Sequence, residues 1–193
     1  MSIFESTRSM AKTILENADR FEWSLQGLGL LRLHMGNTRL HVWDRRFAYS
    51  GASPIHDHAQ WALHSTILCG QLTNYRYVET SSLTKGRRYL YQTIKAGYGT
   101  QILHEPKEIT LHRMPSEIYK IGDSYSQKPN EIHETVPING TVTIMHKTPT
   151  NTDQARVFWP LGSSWGTAEP RAATPDEVNK ITRLALDFWE IKC

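Results

Sequence analysis

The sequence predicts a mainly β protein: a barrel or sandwich of short strands with one helix at each end. Three observations carry this. Short stretches of alternating apolar and polar residues recur between turn signals such as Gly36-Asn37 and Asn139-Gly140. The two ends instead carry apolar residues at helical spacing. At 193 residues the chain is long enough for one domain with a substantial core and short for two. Residues 1–193 are therefore read as one domain, with helix over 1–21, a β-barrel over 22–160 and helix over 174–191.

Taken in order, residues 2–21 place Phe4, Met10, Ala11, Ile14, Leu15 and Ala18 on one helical stripe, suited to lying across a sheet. Residues 23–34 are apolar, are punctuated by Gly27 and Gly29, and read as a single strand. A second strand over 39–43 follows the Gly36-Asn37 turn, and small residues then lead to Pro54. The stretch 54–77, PIHDHAQWALHSTILCGQLTNYRY, organises the rest. Trp61, Leu63, Ile67 and Leu68 are core-type residues, Cys69-Gly70 punctuates, and an aromatic strand runs over 72–78. Residues 81–86 read as a loop and 87–95 as a strand, with a turn over 96–100. Strands over 109–114 and 117–121 flank Pro115. A loop over 122–130 precedes a short strand carrying His133. Strands over 141–147 and 155–159 complete the β region. Thr174, Pro175 and Glu177 form a capping box with proline at the first helical position. Val178, Ile181, Leu184, Ala185 and Phe188 then make one apolar stripe.

The composition excludes some partners. A net charge of +3, with no dense Lys/Arg run, argues against a nucleic-acid surface. Arg45-Arg46 and Arg87-Arg88 read as solvated strand ends. No apolar run reaches the length of a membrane span, and the first residues lack the layout of a signal peptide. The two cysteines are Cys69 and Cys193, the last residue, so no structural disulfide and a reducing, cytoplasmic setting are expected. Exposed strand edges allow a homodimer.

The chemistry starts at His56-Asp57-His58. In a strand, residues i and i+2 share a face, so both imidazoles aim at one point and Asp57 away from it. Two neutral imidazoles are half of a site for Fe, Zn, Ni, Cu or Mn. A metal centre open to substrate needs a third ligand. Among nine histidines, His133 is the best placed, because an antiparallel barrel can return its strand to the first. His146, on the far arm of the Asn139-Gly140 hairpin, is a candidate fourth ligand or a group that orients something bound to the metal. His64 has no guaranteed strand phase with His58. His34, His41, His104 and His112 have no diagnostic spacing and read as ordinary histidines. Arg32 lies between Leu31 and Leu33 and so faces away from both. If the leucines pack on a terminal helix, Arg32 points into the barrel; if they fill the barrel, it lies in solvent.

These residues resemble the cupin superfamily. Gly51, His56, His58, Leu63 and Gly70 fall at the places of its first motif, with Leu63 where the usual glutamate stands. Gly122, Pro129 and His133 resemble a degenerate second motif. The resemblance implies a cupin-type, jelly-roll-like barrel and a charge-neutral three-histidine site, which leaves Fe(II) open positions for a chelating substrate and dioxygen. Within the cupins, residues 30–148 most resemble the thiol dioxygenases of the cysteine dioxygenase type. That likeness implies iron ligands at His56, His58 and His133. It favours the inward setting of Arg32, as the group that grips a substrate carboxylate, and gives His146 a role in a relay. Ile144 and Thr148 stand where that relay has Ser and Tyr. The first expectation is therefore a non-haem Fe(II) dioxygenase of a small thiol such as cysteine or a mercapto-carboxylic acid. The alternatives are a three-histidine cupin with another metal-dependent activity, and a non-catalytic ligand-binding or sensing cupin.

Overall fold

The computed structural model describes residues 2–49, 52–82, 84, 86–95, 101–150, 152, 154–164 and 169–192. Gly51, the turn expected over 96–100, and Cys193 lie outside them. The elements run α1 (Ile3–Glu16), a 3-10 turn (Ala18–Arg20), β1 (Trp23–Gln26), β2 (Leu28–Met35), β3 (Thr38–Ala48), β4 (Ile55–His56), β5 (Trp61–Cys69), β6 (Gln71–Glu79), β7 (Arg87–Lys95), β8 (Gln101–Ile102), β9 (Lys107–Arg113), β10 (Glu117–Lys120), β11 (Ser124–Gln127), β12 (Ile132–Pro137), β13 (Val142–Pro149), β14 (Gln154–Pro160), β15 (Arg171–Ala172) and α2 (Pro175–Lys192). The chain is mainly β with a helix near each end, as expected.

The strands form two antiparallel sheets. The first has the order β11-β5-β13-β3-β2-β1-β15 and the second β10-β6-β12-β4-β14-β7-β8. Strand β9 pairs with both β6 and β7, so the second sheet closes into a ring of β6, β12, β4, β14, β7 and β9. Each of those six strands sends one large side chain into a common cluster: Tyr77, Ile132, Ile55, Phe158, Tyr89 and Leu111.

The first sheet is two-faced. Leu25, Leu31, Leu33, Leu40, Val42, Val142 and Ile144 pack with Ala11, Ile14 and Leu15 of α1 and Val178, Ile181, Ala185 and Trp189 of α2. Each large aliphatic side chain buried there contributes about 1.5–3 kcal/mol. The expected helical stripes thus supply most of the faces that cover this sheet, with Trp189 added, but Met10 is 45 % exposed and lies outside the cluster. Ser2 caps α1, its hydroxyl accepting from the Glu5 N–H at 3.1 Å. The capping box of α2 is formed in both directions. The Thr174 N–H donates to Glu177 at 2.9 Å, and the Glu177 N–H donates to Thr174 Oγ1 at 3.3 Å. No helix among the described residues is long and apolar enough to cross a membrane.

Four expectations need correction. The single strand over 23–34 is two strands, β1 and β2, paired with each other so that Ser24 faces Arg32. The reversal uses Gly29 at φ +74°, where a Cβ would come within 2.4 Å of the Asp44 carbonyl. The loop expected over 122–130 contains β11, which pairs with β5. The Asn139-Gly140 turn is not a hairpin: β12 belongs to the second sheet and β13 to the first. Finally, Cys69 is fully buried and disulfide-bonded, so the cysteines give no footing for a reducing compartment. Cys69 and α2 share one apolar cluster, and sequence separation was no guide to that proximity.

The chain also crosses between the sheets at Gly70, between β5 and β6. Gly70 has φ +85°, and a Cβ there would meet Thr141 Oγ1 at 2.6 Å and Thr141 Cα at 2.9 Å. Gly70→Ala is expected to cost about 2 kcal/mol or more, read as a lower urea midpoint; an unchanged midpoint would contradict the tight crossing. At the other end, Arg171 first, then the Thr174 N–H and hydroxyl, hold the Glu177 carboxyl down at about 2. A depressed carboxyl contributes stability that is present above its ordinary pKa of 4.5 and is lost as pH falls toward 2. Glu177→Gln should therefore flatten the loss of stability between those limits, measured by denaturation at several acid pH values.

Candidate metal centre

The site is built on a very short strand. His56 ends β4 and lies directly opposite His133 on β12, while Val157 of β14 flanks it on the other side. His58 lies beyond the end of β4, not within a longer strand as expected. The alternation nevertheless continues, because the Asp57 N–H donates to the Arg156 carbonyl at 3.0 Å. Asp57 is turned away and is fully buried. Its carboxylate accepts from the Arg156 N–H at 2.7 Å and from Arg156 Nε at 2.6 Å. Arg156 also reaches Glu79 at 3.0 Å.

One ring nitrogen from each of His56, His58 and His133 lies within 4.8 Å of the other two. The ring centroids are 4.7 Å, 4.5 Å and 5.3 Å apart for the pairs 56–58, 56–133 and 58–133. Nitrogens about 2.0–2.1 Å from a shared metal lie within about 4.2 Å of one another, so shifts under about 1 Å would seat an ion. Backbone carbonyls orient two of the rings. His56 Nδ1 lies 3.0 Å from the Pro54 oxygen and His133 Nδ1 lies 2.9 Å from the Glu131 oxygen. A proton on each Nδ1 would leave Nε2 as the lone-pair donor. Burial lowers the pKa of all three rings, that of His133 to about 3. For His58 and His133 the neighbouring imidazoles lower it further. They are therefore neutral near pH 7, the form that ligates a metal. This donor set fits a divalent ion without help from a carboxylate. Glu79 is engaged by Arg156 and Glu131 by Arg76, each at 3.0 Å. No acidic residue joins the three-histidine group among the described residues.

The histidines open onto a cavity of about 420 Å³ between the sheets. Leu63 lines it, as expected, and supplies no ligand atom. Arg32 also lines it and is only 7 % exposed. Leu31 and Leu33 pack on the helices, so alternation sends Arg32 inward, where its Nη1 donates to Gln26 Oε1 at 3.1 Å. His146 is a correction. It is exposed, lies 2.9 Å from Thr38 Oγ1 through Nδ1, and stands on the face of β13 opposite cavity-lining Met145. From that place it neither ligates a metal on the three histidines nor orients what the metal binds. Ile144 shares the helix-side face of β13, and Thr148 is exposed.

Two cavity residues escaped the sequence reading. His41, taken as an ordinary histidine, is 7 % exposed, lines the cavity and makes no hydrogen bond through Nε2. The alternation of Arg39, His41 and Trp43 against Leu40 and Val42 was the available signal. Tyr125 reaches the cavity from β11, and burial raises its pKa. It fell in an expected loop, where no face can be assigned.

No model of a known protein family matches the chain, and no curated protein matches it. The fold and the site together define a mainly β protein with a buried three-histidine group able to hold a metal ion.

Removing Arg156 would leave the Asp57 carboxylate buried and unpaired. Arg156→Ala is expected to cost about 3–5 kcal/mol and to weaken metal binding with it, since β4 loses its anchor. Glu79→Gln, at an exposed partner of the same guanidinium, should cost under about 1 kcal/mol. Urea unfolding and zinc titration of the two variants check this; equal costs would contradict the anchoring role.

Proposed function

We propose that this chain is a cupin-like metalloprotein that oxidises a small thiol bearing a carboxylate, with Fe(II) on His56, His58 and His133 and dioxygen as co-substrate. The observation that carries the proposal is the convergence of three neutral imidazoles on a cavity that also holds a buried arginine. Two facing antiparallel sheets with terminal helices on one outer face are compatible with a cupin-type barrel. The cavity volume suits a small ligand.

Iron bound there would supply the redox chemistry that joins a thiol to dioxygen. Both oxygen atoms ending on sulfur balance a sulfinic acid, RSH plus O₂ giving RSO₂H, with no further reductant. The residues of the chain do the rest. The neutral ligand set leaves the charge of a divalent ion uncompensated and so favours an anionic thiolate. Arg32 pairs the carboxylate in a charge-assisted, two-pronged contact and fixes the sulfur end toward the histidines. Leu63, Met145 and Val157 contribute apolar wall, which strengthens both interactions by excluding water.

Protein prepared without a histidine tag should carry about one iron per chain after loading, and His133→Ala should carry none. Oxygen uptake should depend on iron and on a carboxylate-bearing thiol. Arg32→Ala should weaken binding of that thiol by roughly 1.5–3 kcal/mol, about ten- to a hundredfold. Iron retained by His133→Ala would overturn the metal site. Equal thiol affinity in Arg32→Ala would overturn the carboxylate clamp.

A further inference from the structure

Two histidines that the cavity does not use stand side by side on the other face of the first sheet. Ser126 of β11, His64 of β5, His146 of β13 and Thr38 of β3 lie directly opposite one another in a single cross-strand row. On the same face, Leu68, Ile144 and Leu40 are covered by the two helices. At the row of His64 and His146 the sheet emerges, and both histidines are exposed. They face each other across one antiparallel pair, which sets their Cβ atoms about 4.5–5.5 Å apart.

A hydroxyl on its far side turns each ring. His64 Nδ1 lies 3.0 Å from Ser126 Oγ, and His146 Nδ1 lies 2.9 Å from Thr38 Oγ1. In an imidazole, Nδ1 and Nε2 lie on opposite sides of the line that the Cβ–Cγ bond draws through the ring. Rings held outward by Nδ1 therefore carry both Nε2 atoms on the inner side, toward each other. A hydroxyl that accepts from Nδ1–H leaves the lone pair on Nε2. The Pro54 and Glu131 carbonyls are placed to do the same for His56 and His133. Ligating histidines are held in this way, with the second ring nitrogen fixed by a hydrogen-bond partner. The surroundings leave room above the pair. Ala62 and Thr148, both small, are the next residues on this face toward one end of the strands. Thr66, toward the other end, is bonded to Ser124 at 2.7 Å. The row itself contains no carboxylate.

We propose that His64 and His146 form a second metal site, separate from the buried centre, that takes an imidazole-preferring divalent ion of the Cu(II), Ni(II) or Zn(II) type on the outer face of the first sheet. Two neutral nitrogens without a carboxylate select against Ca(II) and Mg(II), which take oxygen ligands. Affinity at a nitrogen site rises from Fe(II) through Ni(II) to Cu(II), so iron is held weakly here and copper best. Water completes the coordination, because the pair lies at the surface, and the ion exchanges with solvent. The site needs neither the buried metal nor a thiol.

Zinc binding is measured by calorimetry on metal-free protein prepared without a histidine tag, and copper binding by electron paramagnetic resonance. Wild type is expected to take two zinc ions. His64→Gln and His146→Gln should each lose the outer ion and keep the buried one, whereas His133→Ala should do the reverse. His104→Gln, at an exposed histidine outside the row, should change neither. Thr38→Val combined with Ser126→Ala should weaken the outer site about tenfold, the lower end of what partners of ligating histidines are worth. Both histidines of the pair are exposed, so the urea midpoints of His64→Gln and His146→Gln should match wild type, which separates lost binding from lost folding. Copper on His133→Ala should show coupling to two imidazole nitrogens, reduced to one when His64→Gln is added. A single zinc ion in wild type that is lost in both outer variants and kept in His133→Ala would uphold the outer pair and remove the buried metal. An undiminished zinc count in either outer variant, or an equal loss in His104→Gln, would overturn the outer pair and leave the buried centre standing.

Discussion

The pairing of Asp57 with Arg156 is the constraint on which the site depends. Strand β4 is two residues long, too short to hold its place by backbone pairing alone. It sits in the middle of the second sheet with β12 on one side and β14 on the other. Asp57 follows it directly and is buried without exposure, and Arg156 of β14 binds its carboxylate through both backbone and side chain. A buried ion pair is a weak source of net stability, but losing one partner is costly. Here the pair fixes the phase of a short segment. With Asp57 held on one face, His56 and His58 have to present their rings on the other.

The two sheets divide the work. The first buries its aliphatic face against both helices and turns its polar face, with Arg32, Arg39, His41 and Ser65, toward the cavity. The second fills its own ring with aromatic and aliphatic side chains and presents His56, His133 and Thr135 outward from that ring, to the same cavity. Apolar cores therefore lie on the far side of each sheet from the site. This is why a buried polar wall is tolerated: the hydrophobic stabilisation comes from elsewhere, and the cavity face is left to chemistry. Burial then sets protonation. It keeps the imidazoles neutral and leaves the arginines charged, because a guanidinium holds its proton far more tightly.

The sequence by itself determined what local periodicity determines. Strand alternation put His56 and His58 on one side and Asp57 on the other, and set Arg32 against Leu31 and Leu33. The Thr174–Glu177 capping box and the turn at Gly36 were legible because their partners lie within a few residues. The choice of His133 came from topology, and the register His56 to His133 agrees with it. What tertiary structure decided was which face of each strand meets the cavity and which strands meet at all. Asn139-Gly140 has the composition of a hairpin turn, yet it carries the chain from one sheet to the other, and on β13 Met145 lines the cavity while His146 lies on the opposite, exposed face. His41 and Tyr125 join the cavity, and Cys69 is disulfide-bonded, for the same reason. Local sequence encodes the period of a strand, but the side it buries is set by packing against elements far away in the chain.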